Sequence, residues 1–165
     1  MTSEEPVRKQ RISARALLRR VHDGRDEVLL ARVSSAGFSA AGTWTLPGGG
    51  IDHGEHPEAS VRREVHEETG LYVEPGRLLD VHSSHFVGAR ADGLVEDYHG
   101  VHLFFAATVL PVSQDVEPHV VEVGGSTDLA AWLPRTEALG LELLSAARYA
   151  LTEVETAHGT PRPPS

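Results

Sequence analysis

The sequence predicts an α/β fold on three observations. β-Compatible runs precede a helical segment at about 57 to 69, further such runs follow it, and a second helical segment lies at about 137 to 155. At 165 residues, of which 40% are hydrophobic, the chain has the size and core content of a single domain spanning 1–165. Its polar start, about 1–9, and its proline-rich end, about 157–165, are expected to fray as tails. No repeat with a period of roughly 20 to 50 residues is present.

Taken in order, Ile12 to Val21 and Val28 to Val33 read as strands joined through the turn-rich His22-Asp23-Gly24-Arg25-Asp26, which suggests a hairpin. Ser34 to Gly42 reads as loop, and Trp44 to Leu46 as a short strand stopped by Pro47 and three glycines. Pro57 suits the first turn of a helix and Gly70 a stop after Thr69, so a helix is placed at about 57 to 69. Leu78 to Val87 and Val101 to Val109 read as strands joined by Gly88 to Gly100, and Ala130 to Leu133 as another strand. Leu141, Leu144, Ala147, Arg148 and Leu151 carry helical spacing through a terminal helix from Glu137 to about Glu155.

The 24 acidic residues against 15 Lys and Arg give a net charge of −9, which disfavours long nucleic acid held by counterion release. A small phosphate compound remains compatible if a divalent cation stands between the two negative groups. There is no cysteine, so every metal ligand must be oxygen or imidazole. No apolar run reaches the roughly 18 residues that a membrane span needs, so a cytoplasmic protein with no membrane partner is expected.

The most informative segment is Gly49-Gly50-Ile51-Asp52-His53-Gly54-Glu55, seven further residues, then Arg63-Glu64-Val65-His66-Glu67-Glu68-Thr69-Gly70-Leu71. At about 100° per residue, Glu64, Glu67 and Glu68 fall within roughly a 100° arc, with Val61 and Val65 in the arc beside them. Burying the valines brings the carboxylates to the edge of the core, where they line a cleft. Carboxylates at this spacing present hard oxygens to Mg²⁺ or Mn²⁺. An acidic helix face is ordinarily just solvated, but like charges so placed repel, and a cation would remove that repulsion. The preceding glycines let backbone approach a metal or phosphate closely.

This arrangement resembles the Nudix box, G-x5-E-x7-R-E-U-x-E-E-x-G-U with U apolar, at every specified position from Gly49 to Leu71. A chance match in a chain of this length is on the order of one in ten million. Trp44-Thr45-Leu46-Pro47-Gly48-Gly49 extends the likeness to about 28 residues. The resemblance implies a mixed β-sheet between helices, the Nudix α/β/α sandwich. It implies a metal-dependent hydrolase (MutT-like) that cleaves a diphosphate linkage in a small nucleotide by water attack on phosphorus. Glu64, Glu67 and Glu68 are then the metal ligands, with Glu64 a ligand or the base, and the Gly48 carbonyl is a further ligand. Glu55 and Arg63 are assigned to orienting loop against helix. The resemblance also adds a homodimer to the assembly states open to the chain.

The general base stays open between a box glutamate and the later Glu96, Asp97, Glu117 or Glu122. His82 and His85, like His99 and His102, differ by three, so a regular strand sends each pair to opposite faces and no histidine cage follows. Arg32, at a strand end, is a candidate for holding phosphate. Trp44, Phe86, Phe104 and Phe105 are assigned to core packing rather than base stacking. A non-catalytic nucleotide-binding or regulatory module is the alternative, and retention of all four box glutamates and Arg63 opposes it. An isomerase of isoprenyl diphosphates would want a catalytic cysteine, and there is none. Position 87 is valine where some ADP-ribose-cleaving relatives carry proline, and Tyr98 lies beyond the range in which dinucleoside-polyphosphate relatives often place a downstream tyrosine, so the substrate subgroup is not legible.

Overall fold

Leu18 divides the first long apolar run between two sheets. The computed structural model describes residues 5–35, 40–89 and 93–158. In it β1 (Val7–Leu17) ends one residue before Leu18 and β2 (Arg19–His22) starts one residue after. The expected Ile12–Val21 strand is therefore two strands, and the hairpin is formed by β2 with β3 (Arg25–Val33), turning at Asp23-Gly24. Leu18 itself is buried, and its carbonyl accepts from Leu29 N–H at 3.1 Å, which anchors the crossing point. β1 begins at Val7, so the expected tail at 1–9 is shorter; the rest of the expected tails, 1–4 and 159–165, lies outside the described residues.

The second sheet also takes β4 (Trp44–Thr45) and β8 (Thr127–Pro134), both antiparallel to β3. The first sheet has the order β5-β1-β7-β6, with β5 (Gly48–Gly50), β6 (Val73–Ala89) and β7 (Val95–Val109). β1 and β7 run parallel while the other pairs are antiparallel, so this sheet is mixed. The glycines expected to stop a strand instead form β5, because Ser13, Ala14 and Arg15 of β1 pair with them. β6 and β7 also run longer than expected, so Glu96 and Asp97 sit on a strand rather than in a loop over the cleft.

Side-chain alternation along the strands sorts two cores. Ala14, Ala16, Leu18, Leu29 and Phe105 pack beneath α1 (Pro57–Thr69) against its Val61 and Val65. Leu17, Val28, Leu30 and Phe104 face the other way, against Ala147, Ala150, Leu151 and Val154 of the C-terminal helical segment. Sheets between helices give the expected α/β/α layering.

The terminal helix differs from its expected bounds. A short α2 (Arg135–Ala138) is followed by extended chain, and the continuous helical segment starts only with α3 (Ser145–Tyr149), passing through a π-turn at Ala150–Val154 into α4 (Glu155–His158). The break has a physical reason: the carbonyl of Glu142 accepts from Trp44 N–H at 2.8 Å and Leu144 N–H donates to the Trp44 carbonyl at 2.9 Å. Sheet-type pairing replaces the helical bonds that this stretch would otherwise make.

α1 keeps its expected ends. His56 Nδ1 accepts from Glu58 N–H at 3.3 Å at the start, Pro57 occupies the first turn, and Gly70 closes the helix at φ 71°. No helix among the described residues is long and apolar enough to cross a membrane. Leu29→Ala, at a fully buried position beneath α1, is expected to cost about 3 kcal/mol by leaving a cavity. A urea titration should show a lower midpoint at unchanged slope, whereas Val21→Ala, 56% exposed, should shift stability by no more than about 0.5 kcal/mol.

Candidate active site

α1 presents its carboxylates to the glycine strand. Arg63 is the hub of this contact: Nε and Nη2 each donate to one oxygen of Glu55 at 2.9 Å, Nη1 donates to Glu64 at 2.8 Å and to Glu67 at 3.3 Å, and Nη2 also donates to the Gly50 carbonyl at 3.2 Å. The fork matches the Glu55 carboxylate bidentately, which fixes orientation as well as charge. Glu55 also accepts from Asp52 N–H at 3.0 Å, so the turn before α1 closes on the same carboxylate. Hydrogen bonding to Arg63 holds Glu55 well below the ordinary carboxylate range, at about 2. The same pairing raises Arg63.

Glu68 lies deeper. It is 4% exposed, and its carboxylate accepts from Gly48 N–H at 2.9 Å and from the Thr127 hydroxyl at 2.8 Å. Burial pushes it up to about 7 despite those bonds and the nearby charge of Arg15. Glu64 is raised as well, first by burial and against the pull of Arg63. Two carboxylates deprived of water thus flank Gly48 and Gly49.

Gly49 is required for space. A Cβ there would lie 2.6 Å from the Glu64 carboxylate carbon. Gly48 has φ 133°, and a Cβ would meet the backbone of Ala14 and Arg15, so this position excludes side chains on both counts. The Gly48 carbonyl accepts from Arg15 Nη1 at 3.1 Å, and the same nitrogen donates to the Leu46 carbonyl at 2.9 Å.

Of the helix carboxylates, Glu68 opens on a cavity of about 250 Å³ between the sheets, bordered also by Gly48–Gly50, by Arg11, Arg15, Tyr98 and His102 on the first sheet, and by Thr127 on the second, while Glu64 meets the glycine strand at Gly49 and does not border it. His102 is half-buried, hydrogen-bonded to Ser13 at 2.8 Å and Ser84 at 3.2 Å; burial lowers it to about 4, so its ring is neutral near pH 7. Arg32 does not border this cavity: it pairs with Asp128 at 2.8 Å and lies over the Trp44 ring. Arg11 and Arg15, the cations that do, escaped the sequence reading because alternation alone does not say which sheet face looks into the cleft.

The later carboxylates lie apart. Glu96 pairs with Lys9 at 3.6 Å, Asp97 with His85, and Glu117 is exposed on the segment after β7; the exception is Glu122, exposed but docked on the end of α1, where its N–H donates to the Glu67 carbonyl at 3.0 Å. As parity predicts, His82 pairs across the strands with His102 on one face and His85 with His99 on the other. Phe104 and Phe105 are core residues and Trp44 packs against the core, but Phe86 is 57% exposed beside Tyr98. Among the described residues, no three acidic or histidine side chains converge tightly enough to enclose an ion in this arrangement; the donors instead stand in a row along the helix edge. Their chemistry fits a hard divalent cation: carboxylate oxygens of Glu64, Glu67 and Glu68 beside the Gly48 carbonyl, two of those carboxylates desolvated and one guanidinium shared among three acids.

Residues 9–153 match the NUDIX domain family. The human 8-oxo-dGDP phosphatase NUDT18 is 30% identical over 131 residues, 79% of this chain but 35% of that protein. The chain thus spans about a third of the length of the curated relatives it matches. Among solved structures, a MutT NUDIX hydrolase from Burkholderia pseudomallei is 31% identical at a TM-score of 0.61, covering 88% of this chain and 98% of that one. The NUDIX domain of Shewanella oneidensis NrtR, complexed with ADP ribose, is 25% identical at a TM-score of 0.62, covering 91% and 87%.

The Arg63 hub makes a direct prediction. Arg63→Gln should raise the Glu55 pKa from about 2 by about one to two units in an NMR titration. Because the folded-state value is depressed, Glu55 contributes stability that is complete above its unfolded value near ~4.3 and lost as pH falls through about 2. In the variant, that acid-side loss should move to higher pH and shrink.

Proposed function

The chain belongs to the NUDIX domain family, and from that membership we propose that it is a divalent-metal-dependent hydrolase. It cleaves the diphosphate linkage of a nucleoside diphosphate derivative, such as a nucleoside triphosphate, an ADP-sugar or a dinucleoside polyphosphate, by water attack on phosphorus. The observation that carries this reading is Glu68, on the carboxylate edge of α1, bordering a cleft that Arg11 and Arg15 also border. Negative groups on one side and positive groups on the other suit a phosphate chain bridged to the acids by a cation. The ADP ribose bound by the NrtR NUDIX domain is a compound of this class.

Glu67, Glu68, Glu64 and the Gly48 carbonyl are the residues that would hold Mg²⁺ or Mn²⁺. When bound, such an ion neutralises phosphoryl charge and makes coordinated water easier to deprotonate. Glu64 serves as a ligand or, in its place, as the proton acceptor: its Oε2 accepts no hydrogen bond among the described residues, and burial raises its basicity. Glu68 is held in place by Gly48 N–H and Thr127, so it offers a carboxylate of fixed orientation. Arg63 and Glu55 position loop and helix without touching the reacting atoms. Arg15 holds the Gly48 carbonyl and the cleft wall together. A cytoplasmic location and a small-molecule partner complete the reading, with no role for long nucleic acid.

The test is a panel of these compounds with wild type and Glu68→Gln, with and without EDTA. Wild type should turn over at least one compound only with Mg²⁺ or Mn²⁺, and Glu68→Gln should lose on the order of 10²–10³-fold while its circular dichroism is unchanged. A panel left untouched, with one member bound tightly, would instead establish a binding or regulatory module.

A further inference from the structure

Resting on that reading of the cleft, the geometry points to Arg11 as the residue that holds the phosphate arm on the side away from the carboxylate helix, with the Tyr98 ring beyond it as the platform for the attached nucleoside base. This assigns direction to the bound molecule as well as a specificity-determining contact.

Four observations support it. The Arg11 side chain makes no hydrogen bond or ion pair with any described residue, although it borders the same cavity as Glu68. The other cation bordering that cavity, Arg15, donates to the Leu46 and Gly48 carbonyls. The Arg11 guanidinium lies against the bare α-carbon of Gly50, where a Cβ would stand 2.6 Å from its Nε. The site therefore seats this side chain on backbone next to the strand that touches Glu64 on its opposite face.

Second, Arg15 lies on the same face of β1 with a buried Nε that has no partner among the described residues. Burial, and also the nearby charge of Arg11, hold its guanidinium below its ordinary value. Arg15 has the charges of Glu68 and Glu64 near it, whereas the Arg11 side chain has no anion of its own among the described residues, and a chain of phosphates would supply one. Third, Gly100 stands opposite Arg11 in the strand pairing, and a Cβ there would lie 3.1 Å from Tyr98, Ser84 and His102, so the missing side chain lets Tyr98 close in on the strand beside Arg11. Fourth, Tyr98 borders the cavity and packs on Phe86 at 5.2 Å between ring centroids, while Phe86 remains 57% exposed. An aromatic pair at the mouth of a cationic cleft suits a flat base.

The experiment measures binding, so it does not depend on turnover. α,β-Methylene-ADP, methylenediphosphonate and adenosine are titrated calorimetrically into wild type, Arg11→Ala, Arg11→Lys and Tyr98→Ala, each with Mg²⁺ and with EDTA. Arg11 is exposed, so its variants are expected to fold. Arg11→Ala should weaken both phosphonates about tenfold and leave adenosine unchanged, and Arg11→Lys should fall between, since it keeps the charge and loses the fork. Tyr98→Ala should weaken adenosine and α,β-methylene-ADP about fivefold or more and leave methylenediphosphonate unchanged. The assignment is overturned if wild type binds no phosphonate in either condition, if Arg11→Ala binds them as wild type does, or if it loses adenosine equally. If no compound is hydrolysed by wild type yet this pattern holds, the hydrolase reading fails and the binding assignment stands.

Discussion

Arg63 places one guanidinium among Glu55, Glu64 and Glu67 and against the Gly50 carbonyl, and the rest of the site is arranged around that contact. The bidentate bond to Glu55 ties the turn at 51–55 to the helix eight residues on. The bond to Gly50 ties the same helix to the edge of the mixed sheet. One positive charge shared among three carboxylates leaves the helix edge net negative, so the interaction organises the acids without neutralising them. Val61 and Val65, both fully buried, hold that edge at the core boundary, where Glu64 and Glu68 lose water and their ionised forms are left short of solvation.

The glycine strand converts this edge into one side of a cleft. Gly49 meets Glu64 and Gly50 meets Arg11, so a single backbone layer separates a carboxylate from a guanidinium. Neither contact would survive a side chain unchanged, and at both positions the requirement is for space; only Gly48 adds a left-handed backbone. β1 then carries Ala14 and Ala16 toward the helix and Ser13 and Arg15 toward the cleft. The same alternation thus builds a core on one face and a polar wall on the other.

How much of this was legible in the sequence depended on how local each signal was. The ends of α1 lie in Pro57 and Gly70, and the Glu64, Glu67 and Glu68 arc follows from helical spacing, so both could be read directly. The division of Ile12–Val21 at Leu18 could not, because both halves are apolar and only the separate pairings with β7 and β3 distinguish them. Leu141 and Leu144 have helical spacing yet precede the helix, since Trp44, about a hundred residues earlier, captures the backbone of Glu142 and Leu144. Arg32 looked free until Asp128 met it across the sheet. Arg11 and Arg15 looked ordinary until the sheet face was known.

The most direct test of the account is the fate of solvent oxygen. The compound that the protein turns over fastest is hydrolysed in ¹⁸O-enriched water with Mg²⁺, and the products are weighed by mass spectrometry. Attack of water on phosphorus, driven from the carboxylate edge that Arg63 organises, predicts one ¹⁸O in a phosphoryl group of one product and none elsewhere. Label on a carbon-bound hydroxyl, or no turnover of any diphosphate compound, would contradict it.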